Sequence, residues 1–564
     1  MGSKDAHTVS AGRRKLMVMA GAGALLPLMP GLAGAQSASK LAVSTKGMVT
    51  SPHELATKAG LDVLASGGNA IEAAITIASC LSVTYPHFAG FGGDAFMIIS
   101  DANGRVQTLS GIGQAPQKLP SFSGAIPLRG PMSMMSTAAT VDTLGKAWEI
   151  SRAQFGGSKS WASLLTPAAR MARDGFPVSE SQRFWQDFRK NDLASLPAIA
   201  AGFMPGGAMP QAGQLLRQPQ LANSIEMLAE RGHRDFYEGK LAARIAAGLK
   251  EAGSPLTARD LALTEARIET PLRVNYRGGT LLSHRPPTQG ITTLEIMGVL
   301  DRFDLSKVKE GSADYYHLLV EAVKQAFIDR PQVADPDFVD VPVNRLLSAA
   351  HLDANARKIR LDRALPWPHV FKNGDTVYIG ATDSAGNCVS MLATVFFDWG
   401  SGVLVGDTGI LWHNRGASFS LDPAAPNRLQ PGKRPFHTLN PGMYMKDGKP
   451  AILYGTQGAD GQPQTLSAVL TRLIDYKLDP LTALAKPRFL LGKTFSDTRD
   501  SLKLEQDAGQ AVFAELARRG HEVSPIAAQS PLAGHPGAIV IDRASGKISG
   551  AHDPRSDGRA LGLA

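Results

Sequence analysis

The stretch from Asn373 to Gly380 constrains the fold most strongly, because a turn signal runs directly into a strand signal. Asn373-Gly374-Asp375 favours a tight, exposed turn. The run Thr376-Val377-Tyr378-Ile379 that follows has the β-branched and aromatic composition of a buried strand. The sequence therefore predicts a strand that begins immediately after the turn, with a threonine presented at its first position.

A second strand signal completes a hairpin. The strand at 377–382 is followed by the turn residues 383–387 and then by an apolar, β-branched run at 388–397. Thr394 comes eighteen positions after Thr376. Antiparallel pairing of the two strands brings cross-strand side chains together, so we expect the two hydroxyls to lie near each other.

Thr376 is the residue of this hairpin that points to chemistry. If the Asp375–Thr376 bond is broken, the new α-amine lies within reach of the hydroxyl of the same residue and can act as its general base. One residue then supplies both the nucleophile and the base. From these residues alone, a plain hairpin with a surface threonine is the commoner alternative, because such turns are widespread.

The sequence from Asp375 to Asn387 resembles the processing site of the γ-glutamyltransferase family of N-terminal nucleophile hydrolases, which are made as one chain and split into a large and a small subunit. The likeness extends from about Lys46 to Gly558. It implies an α+β protein with an αββα sandwich, formed from one proenzyme that is cleaved into two interlocked subunits. The implied large subunit is 36–375 and the small catalytic subunit is 376–564.

The resemblance also assigns roles to particular residues. It makes Asp375–Thr376 the cleavage site and Thr376 the nucleophile, and it gives Thr394 a hydroxyl that hydrogen-bonds the nucleophile. Gly458-Ala459 stands where the family has a Gly-Gly pair whose backbone N–H groups form the oxyanion hole. An alanine still offers an N–H, but it carries a conformational cost if the position needs a positive φ.

One segment departs from the γ-glutamyl enzymes. Those enzymes hold the glutamyl α-amino group with a Gln or Glu and an Asp, and this chain has Arg415 and Ser418 at those positions. The arginine that binds the substrate α-carboxylate in the family falls near Ile112. The resemblance therefore implies that both the amine clamp and that carboxylate anchor are missing.

Arg415 suggests what replaces them. A guanidinium is a permanent cation with a planar fork suited to a carboxylate, so we expect an acyl group that carries an anion and no amine. The expected binding residues are Asn414, Arg415, His437 and Thr438, with His437 and Thr438 in place of two family serines. Two alternatives stay open: Arg415 pairs with an internal carboxylate, and His437 is a packed core histidine.

These features favour a self-processing amidohydrolase or acyltransferase of small acidic amides, as in the branch that contains oxamate amidohydrolase and the cephalosporin/glutaryl acylases. A γ-glutamyltransferase or glutathione hydrolase is the nearest alternative. An inactive periplasmic binding protein on the same fold is an alternative of another class. The sequence leaves open the natural acyl group and the balance between hydrolysis and transfer.

Charge and cysteine content limit the partners. The net charge is +9, of which residues 1–35 contribute +3, and no dense Lys/Arg run occurs, so nucleic-acid binding gains little support. Cys80 and Cys388 are the two cysteines, which is too few for a disulfide framework. Two buried thiols are favoured over a bridge between the subunits. No Cys/His cluster has metal-ligand spacing, so we predict no metal and no cofactor.

The N-terminus has the pattern of an export signal. Arg13-Arg14-Lys15 precedes an apolar run that is interrupted by Pro27 and Pro30, and Ala33-Gly34-Ala35 provides a small-residue cleavage site. The run is too short and too weakly apolar for a membrane anchor. The paired arginines resemble a twin-arginine signal, with an ordinary secretory signal as the alternative. We therefore expect residues 1–35 to be removed and the protein to be periplasmic or secreted.

Helix boundaries near the N-terminal end follow from capping signals. Ser51-Pro52-His53-Glu54 reads as a capping box with proline at the first helical position. Gly67-Gly68 ends that helix, and Asn69 caps a second, alanine-rich helix that carries Glu72.

Overall fold

Strands form the frame of the protein. The structure is a computed structural model that describes residues 40–367, 375–493 and 500–564. The strands of these residues, in chain order, are Ala42–Ser44 (β1), Met48–Ser51 (β2), Asp94–Ser100 (β3), Val106–Gly111 (β4), Phe176–Pro177 (β5), Leu215–Leu216 (β6), Arg267–Glu269 (β7), Leu272–Tyr276 (β8), Gly279–Ser283 (β9), Asp375–Thr382 (β10), Cys388–Phe396 (β11), Gly442–Lys446 (β12), Lys449–Thr456 (β13), Phe489–Gly492 (β14), Ser501–Glu505 (β15), Val523–Ile526 (β16), Pro536–Asp542 (β17), Lys547–His552 (β18) and Arg559–Gly562 (β19).

Helices cover both outer faces of this frame. The α-helices, in chain order, are Glu54–Ala65 (α1), Ala70–Thr84 (α2), Thr140–Gln154 (α3), Trp161–Asp174 (α4), Glu180–Phe188 (α5), Lys190–Ala194 (α6), Pro197–Phe203 (α7), Pro219–Arg231 (α8), Asp235–Glu238 (α9), Lys240–Glu251 (α10), Ala258–Ala262 (α11), Gly290–Leu300 (α12), Ala313–Asp329 (α13), Val343–Leu346 (α14), Ala349–Lys358 (α15), Gln462–Ile474 (α16), Pro480–Ala485 (α17) and Gln510–Arg518 (α18). Two short 3-10 turns, Arg415–Ser418 and Ala459–Gly461, contribute to the site described below.

Two seven-stranded antiparallel sheets make up the centre. One has the order β1-β18-β17-β13-β12-β9-β8, and the other has the order β19-β2-β10-β11-β3-β4-β7. Helix α2 packs on the second sheet against β10 and β11, whereas α12 and α16 pack on the first against β8 and β13. The result is the expected αββα sandwich of an α+β protein.

The strand alternation of β10 places its side chains in two different cores. Val377, Ile379 and Ala381 belong to the core beneath α2. Tyr378 points to the opposite side, where it packs with Leu439 between the two sheets. Because side chains alternate along a strand, Thr376 lies on the side of Tyr378, in the space between the sheets.

The two predicted subunits share both sheets. In the second sheet, β10, β11 and β19 come from the region after Thr376, and they pair with β2 and β3 from the region before it. In the first sheet, β12 pairs with β9 and β18 pairs with β1. Backbone ladders therefore hold the two regions together whether or not the chain is cut between them.

Local expectations near the N-terminal end had mixed outcomes. Asn69 caps α2 in a reciprocal capping box with Glu72, as expected. The capping box at Ser51 is wrong: Ser51 ends β2, where it pairs with Arg559, and its hydroxyl contacts the Thr57 hydroxyl at 2.6 Å. Pairing with a strand from the far end of the chain outweighs the local helix signal.

Cys80 and Cys388 are separate buried thiols, so the bridged alternative is wrong.

Two predicted features lie in parts of the chain that the structure does not describe. Residues 1–35, with the expected export signal, and the turn residues Asn373-Gly374 lie outside the described residues. Within the part of the chain that the structure describes, no helix combines the length and apolar character needed to span a bilayer.

Candidate active site

Thr376 lies at an irregularity in the central hairpin. Asp375 pairs with Phe396 and Val377 pairs with Ala393, so the register shifts between them and Thr394 and Val395 lie across from Thr376. Thr376 is buried. The Thr394 hydroxyl accepts a hydrogen bond from the Phe396 backbone N–H at 2.7 Å. The bulge thus brings the two predicted hydroxyl residues to the same place on neighbouring strands.

Gln462 contacts the Thr376 side chain directly. This residue is the first of α16, and its Nε2 donates a hydrogen bond to Thr376 Oγ at 3.2 Å. Its side chain is fully buried, and its Oε1 has no hydrogen-bond partner among the described residues. Sequence reasoning did not select Gln462. The available signal was a glutamine at the start of an otherwise apolar helix, immediately after a glycine-rich turn.

The expected oxyanion turn precedes α16. Gly458 has φ 126° and Ala459 has φ 46°, so both adopt backbone conformations that favour glycine. The Gly461 N–H bonds the Gly458 carbonyl at 2.7 Å and closes the turn. Because Gln462 follows the turn at once, the same short segment supplies both the N–H groups of Gly458 and Ala459 and the contact to Thr376.

A buried brace holds this turn in position. The Gln289 side-chain nitrogen donates to the backbone carbonyls of Thr438 and Ala459, both at 2.7 Å. Gln289 Oε1 accepts from Arg330 Nε at 3.1 Å, and Arg330 Nη2 forms an ion pair with Asp460. Every polar atom of the Gln289 amide is therefore used to connect the turn to the segment that carries Thr438.

Arg415 is the most unusual group nearby. Its side chain is fully buried, and its guanidinium carbon lies 4.0 Å from the centre of the Phe396 ring. Nη1 reaches the Thr438 hydroxyl at 3.4 Å, while Nε and Nη2 have no hydrogen-bond partner among the described residues. Burial lowers the pKa of Arg415 to about 9, although the Asp94 and Asp460 carboxylates oppose that shift.

Asp94 is the acidic group close to this cation, but its oxygens are engaged elsewhere. Oδ1 accepts the backbone N–H groups of Gly113 at 3.0 Å and Ala139 at 3.4 Å, and Oδ2 lies 3.1 Å from His437 Nε2. Burial alone raises the pKa of Asp94, yet His413, His437 and Arg415 together bring it below its ordinary value. Asp94 is thus an ionised counter-charge, and Nε and Nη2 of Arg415 keep no hydrogen-bond partner among the described residues.

His437 and Asn414 use their polar atoms on the protein itself. His437 Nδ1 accepts the Leu439 N–H at 3.2 Å, so Nε2 carries the proton that Asp94 accepts. Burial lowers the pKa of His437 to about 3, with Arg415 adding to the effect, so the ring is neutral. Asn414 Oδ1 accepts the Phe397 N–H at 3.1 Å, and its Nδ2 donates to the Leu128 carbonyl at 2.7 Å.

Of the three positions at which the family's γ-glutamyl anchors are missing, Ser418 and Ile112 carry no charge, and the third is Arg415 itself. Ser418 donates its hydroxyl to the Phe436 carbonyl at 3.2 Å. Ile112 is buried in the apolar cluster that also contains Phe96, Tyr378 and Leu439. Arg415 is therefore the cation that this segment offers to a bound anion.

Among the described residues, two groups of possible metal ligands lie outside this site. They are His317, Glu321 and His521, and Glu295, Asp329 and His351. In the first group His317 Nδ1 and His521 Nε2 are 2.8 Å apart, and the Lys324 ammonium bonds Glu321 at 2.7 Å. In the second, His351 Nε2 lies 2.8 Å from Asp329 and 3.2 Å from Glu295. In both groups the side chains already have hydrogen-bond partners within the protein.

The predicted residues thus form two neighbouring sets. Thr376, Thr394 and the Gly458-Ala459 turn form one set, in which Gln462 connects the turn to the Thr376 hydroxyl. Arg415, Thr438, His437 and Asn414 form or support a buried cationic cluster. Phe396 joins the two sets, because it pairs with Asp375 and lies under Arg415. Asp94, Gln289, Arg330 and Gln462 were not predicted as site residues, since their roles depend on contacts between segments far apart in the chain.

An αββα sandwich with a buried threonine at the start of a central strand, beside a glycine-containing turn at a helix N-terminus, defines the class of N-terminal nucleophile amidohydrolases. The family model described as gamma-glutamyltranspeptidase matches residues 56–563. The chain belongs to the γ-glutamyltranspeptidase family and is a hydrolase of its γ-glutamyltransferase-like branch.

Individual relatives cover almost the whole chain. The oxamate amidohydrolase proenzyme of Klebsiella pneumoniae is 40% identical over 92% of this chain and 99% of its own length. The glutathione hydrolase-like YwrD proenzyme of Bacillus subtilis is 39% identical over 93% of this chain and all of its own length. The crystal structure of cephalosporin acylase from Bacillus halodurans superposes with a TM-score of 0.85 at 31% identity, covering 95% and 99% of the two chains.

Proposed function

We propose that this protein is a self-processing amidohydrolase that cleaves the amide bond of a small acyl group carrying a carboxylate, with Thr376 as its N-terminal nucleophile. The observation that carries the proposal is the buried guanidinium of Arg415, whose Nε and Nη2 have no partner among the described residues. A cation taken out of water without a partner is costly. A substrate carboxylate that accepts both N–H groups offsets that cost.

The position of Arg415 supports a short acyl group. The guanidinium lies on Phe396, which pairs with Asp375, the residue that precedes the nucleophile. A carboxylate bound at Arg415 therefore lies close to the strand that carries the reacting hydroxyl. The names of the two relatives, an oxamate amidohydrolase and a cephalosporin acylase, agree with amide hydrolysis at such a site.

The first covalent step releases the nucleophile. Thr376 Oγ attacks the carbonyl carbon of Asp375 and its proton passes to the Thr376 nitrogen. The C–N bond then breaks, and the acyl group is held on oxygen as an ester. Water hydrolyses that ester, which leaves Asp375 with a free carboxylate and Thr376 with a free α-amine. The precursor is inactive because the amine that serves as the base does not yet exist.

Turnover repeats this chemistry on the substrate. The α-amine takes the proton of Thr376 Oγ as the oxygen attacks the substrate amide carbon, and the N–H groups of Gly458 and Ala459 receive the oxyanion. The ammonium then returns the proton to the leaving nitrogen as the C–N bond breaks. Water, or an acceptor amine in a transfer reaction, removes the acyl group from Thr376. Thr394 supplies a second hydroxyl, and Thr438 borders the carboxylate.

His437 and Asn414 act on the pocket indirectly in this scheme. His437 keeps Asp94 in place, and Asn414 ties the Leu128 and Phe397 backbones around Arg415. A γ-glutamyl substrate is the second candidate, because the family includes glutathione hydrolases such as the Escherichia coli proenzyme, which is 31% identical. It needs an acidic group for its α-amine, and Arg415 and Ser418 provide none.

A panel of matched amides tests the proposal. We expect oxamate to be hydrolysed at least tenfold more efficiently than oxamide, and glutaryl-4-nitroanilide at least tenfold more efficiently than both butyryl- and γ-glutamyl-4-nitroanilide. The neutral partners keep the scissile amide and remove only the anion. Equal kcat/KM for the charged and neutral members of both pairs, or a preference for the γ-glutamyl compound, would contradict the proposal.

A further inference from the structure

Gln462 has a buried hydrogen-bonding group that the described residues of the uncut chain leave unsatisfied. Its Nε2 bonds Thr376 Oγ at 3.2 Å, while its Oε1 is buried without a partner among the described residues. A buried amide oxygen without a hydrogen bond has lost its contacts with water and gained none in return, which is unfavourable. The unsatisfied atom belongs to the same planar amide that contacts the Thr376 hydroxyl, so any new donor beside that hydroxyl comes within its reach.

Cleavage of the chain frees such a donor, because the Thr376 nitrogen, whose single N–H is fixed in the peptide plane before the cut, becomes an amine that can turn its N–H groups. Thr376 gains an α-amine, and staggered geometry about its Cα–Cβ bond keeps that nitrogen about 3 Å from Oγ. The nitrogen and oxygen of the Gln462 amide are close enough to each other to form hydrogen bonds with the Thr376 hydroxyl and the Thr376 α-amine at the same time. We propose that Gln462 is a further catalytic residue, whose amide holds the Thr376 hydroxyl through Nε2 and the freed α-amine through Oε1.

The hydrogen bond to Gln462 Oε1 orients the Thr376 α-amine. One amine N–H donates to Gln462 Oε1, which turns the nitrogen lone pair toward the Oγ proton. When that proton moves to nitrogen and the Oγ–carbon bond forms, the ammonium keeps its hydrogen bond to Oε1. The neutral amide stabilises the ammonium without a full negative charge, so the amine remains a free base near neutral pH. The inference rests on the proposed role of Thr376.

The charged groups around this centre come from several elements. Asp460 lies in the turn before α16 and is paired with Arg330 from the end of α13. Asp94 and Arg415 lie on the substrate side, and His437 between them is neutral. None of them is altered by a substitution at Gln462, so a change in the pH profile reports on the amide itself.

Two variants and a matched control test the inference. Gln462→Met keeps the volume and removes both hydrogen bonds, whereas Gln462→Glu places a carboxylate beside the amine. Gln325→Met is the control, because Gln325 is also a buried glutamine whose Oε1 has no partner among the described residues, on α13. Each full-length chain is assayed for cutting by intact mass, for folding by thermal midpoint, and for kcat and KM of the cut fraction across pH 5 to 10.

We expect Gln462→Met to lower kcat about 10- to 100-fold with KM within threefold, or to remain uncut while folded. We expect Gln462→Glu to raise the pKa of the amine, so that the acidic limb of kcat/KM moves up by about 1 pH unit or more. Gln325→Met is expected to behave like the parent protein in both respects.

Parent-like cutting, kcat and pH profile in Gln462→Met would overturn the inference. If Gln462→Met fails to fold, an unmoved acidic limb in Gln462→Glu would overturn it. The Thr376→Ala variant distinguishes a failure of the proposed role of Gln462 from a failure of the proposed role of Thr376. If Thr376→Ala is uncut and inactive while Gln462→Met is parent-like, only the role of Gln462 fails; if Thr376→Ala is cut and active, the proposed nucleophile fails as well.

Discussion

The guanidinium of Arg415 lies 4.0 Å above the ring of Phe396, the residue that pairs across the hairpin with Asp375. An aromatic ring rather than a carboxylate therefore holds a buried cation beside the strand partner of Asp375, the residue that precedes the proposed nucleophile Thr376. Stacking on an aromatic face stabilises a guanidinium without occupying its N–H groups in the ring plane. This arrangement explains how a buried cation can keep N–H groups available for an anionic substrate.

Replacing Arg415 is expected to act on substrate charge more than on stability. Arg415→Met should lower kcat/KM for oxamate or the glutaryl amide about 100-fold or more and change the value for a neutral amide less than threefold. Because the lost cation lacks a carboxylate partner, the free energy of unfolding should stay the same or rise. Substrate kinetics and urea unfolding measure the two effects.

Arg472→Met is the matched control for the stability half of that prediction. Arg472 is also fully buried, but it bonds Glu310 at 2.8 Å and the Pro487 carbonyl at 2.7 Å. Its removal should cost about 3–5 kcal/mol, because a buried acceptor set loses its partner. A comparable loss in Arg415→Met would mean that Arg415 is paired within the protein and is not a substrate site.

Replacing Ala459 with glycine is expected to relieve strain in the backbone at this position. An alanine at φ 46° costs roughly 1–2 kcal/mol relative to a relaxed conformation, whereas the entropy of an added glycine offsets part of the gain. Ala459→Gly should therefore raise the free energy of unfolding by about 0.5–1 kcal/mol and leave kcat within threefold. Ala468→Gly, in the middle of α16, should instead lower stability by about 1 kcal/mol or more.

The brace behind the oxyanion turn should matter for turnover. Arg330→Met or Asp460→Asn breaks a buried ion pair, so each should cost about 3–5 kcal/mol of stability. Each should also lower kcat about 10- to 100-fold with KM within threefold, because the Gly458 and Ala459 N–H groups lose their alignment. The double variant should cost clearly less than the sum of the two singles.

A part-exposed ion pair is the control for the Arg330 and Asp460 variants. Arg302 and Asp353 join α12 to α15 at 2.7 Å. Arg302→Met should cost less than about 1 kcal/mol and leave kcat unchanged. If Arg330→Met also left kcat unchanged, the turn would not depend on the brace.

The cluster of Glu295, Asp329 and His351 predicts a fall in stability with rising pH. Burial and the Asp329 carboxylate raise the pKa of Glu295 to about 8, although the His351 hydrogen bond opposes the shift. The unfolded chain releases this proton near the ordinary value of 4.5, so the folded state binds more protons between about pH 4.5 and 8. His351, whose pKa is raised by Glu295, acts in the same direction.

The free energy of unfolding should thus decrease across that window, by at most about 1.4 kcal/mol per pH unit for each proton. Glu295→Gln should flatten the decrease, as measured by urea unfolding at several pH values. Glu251→Gln, at an exposed position on α10, should retain the slope of the parent protein. A slope in Glu295→Gln as steep as that of the parent would contradict the assignment.

Local patterns predicted the elements whose partners are close in sequence. The β10–β11 hairpin has a turn between two β-branched runs, and Asn69 has its capping partner three residues away. The Ser51 capping box was wrong because Ser51 pairs with Arg559, about five hundred positions along the chain. Long-range pairing of this kind leaves no local signal.

The residues of the candidate site also divide into those that the sequence marks and those that depend on long-range contacts. Thr376, Thr394 and the Gly458-Ala459 turn were predicted as site residues because the resemblance marks them, and their roles stay predictions. The structure places Thr376 and Thr394 on neighbouring strands and a helix directly after the turn. Asp94, Gln289 and Gln462 act through contacts that link segments about 86 to 343 positions apart. Their residue types are ordinary in a buried core, so only the folded arrangement identifies them.

The most direct measurement is the intact mass of the purified protein beside its Thr376→Ala variant. The account predicts two chains from the parent, the smaller beginning at Thr376 with a free α-amine, and a single uncut, inactive chain from the variant. A parent protein that remains one chain, or a variant that is cut at the same bond, would contradict the claim that Thr376 opens the chain and becomes its nucleophile.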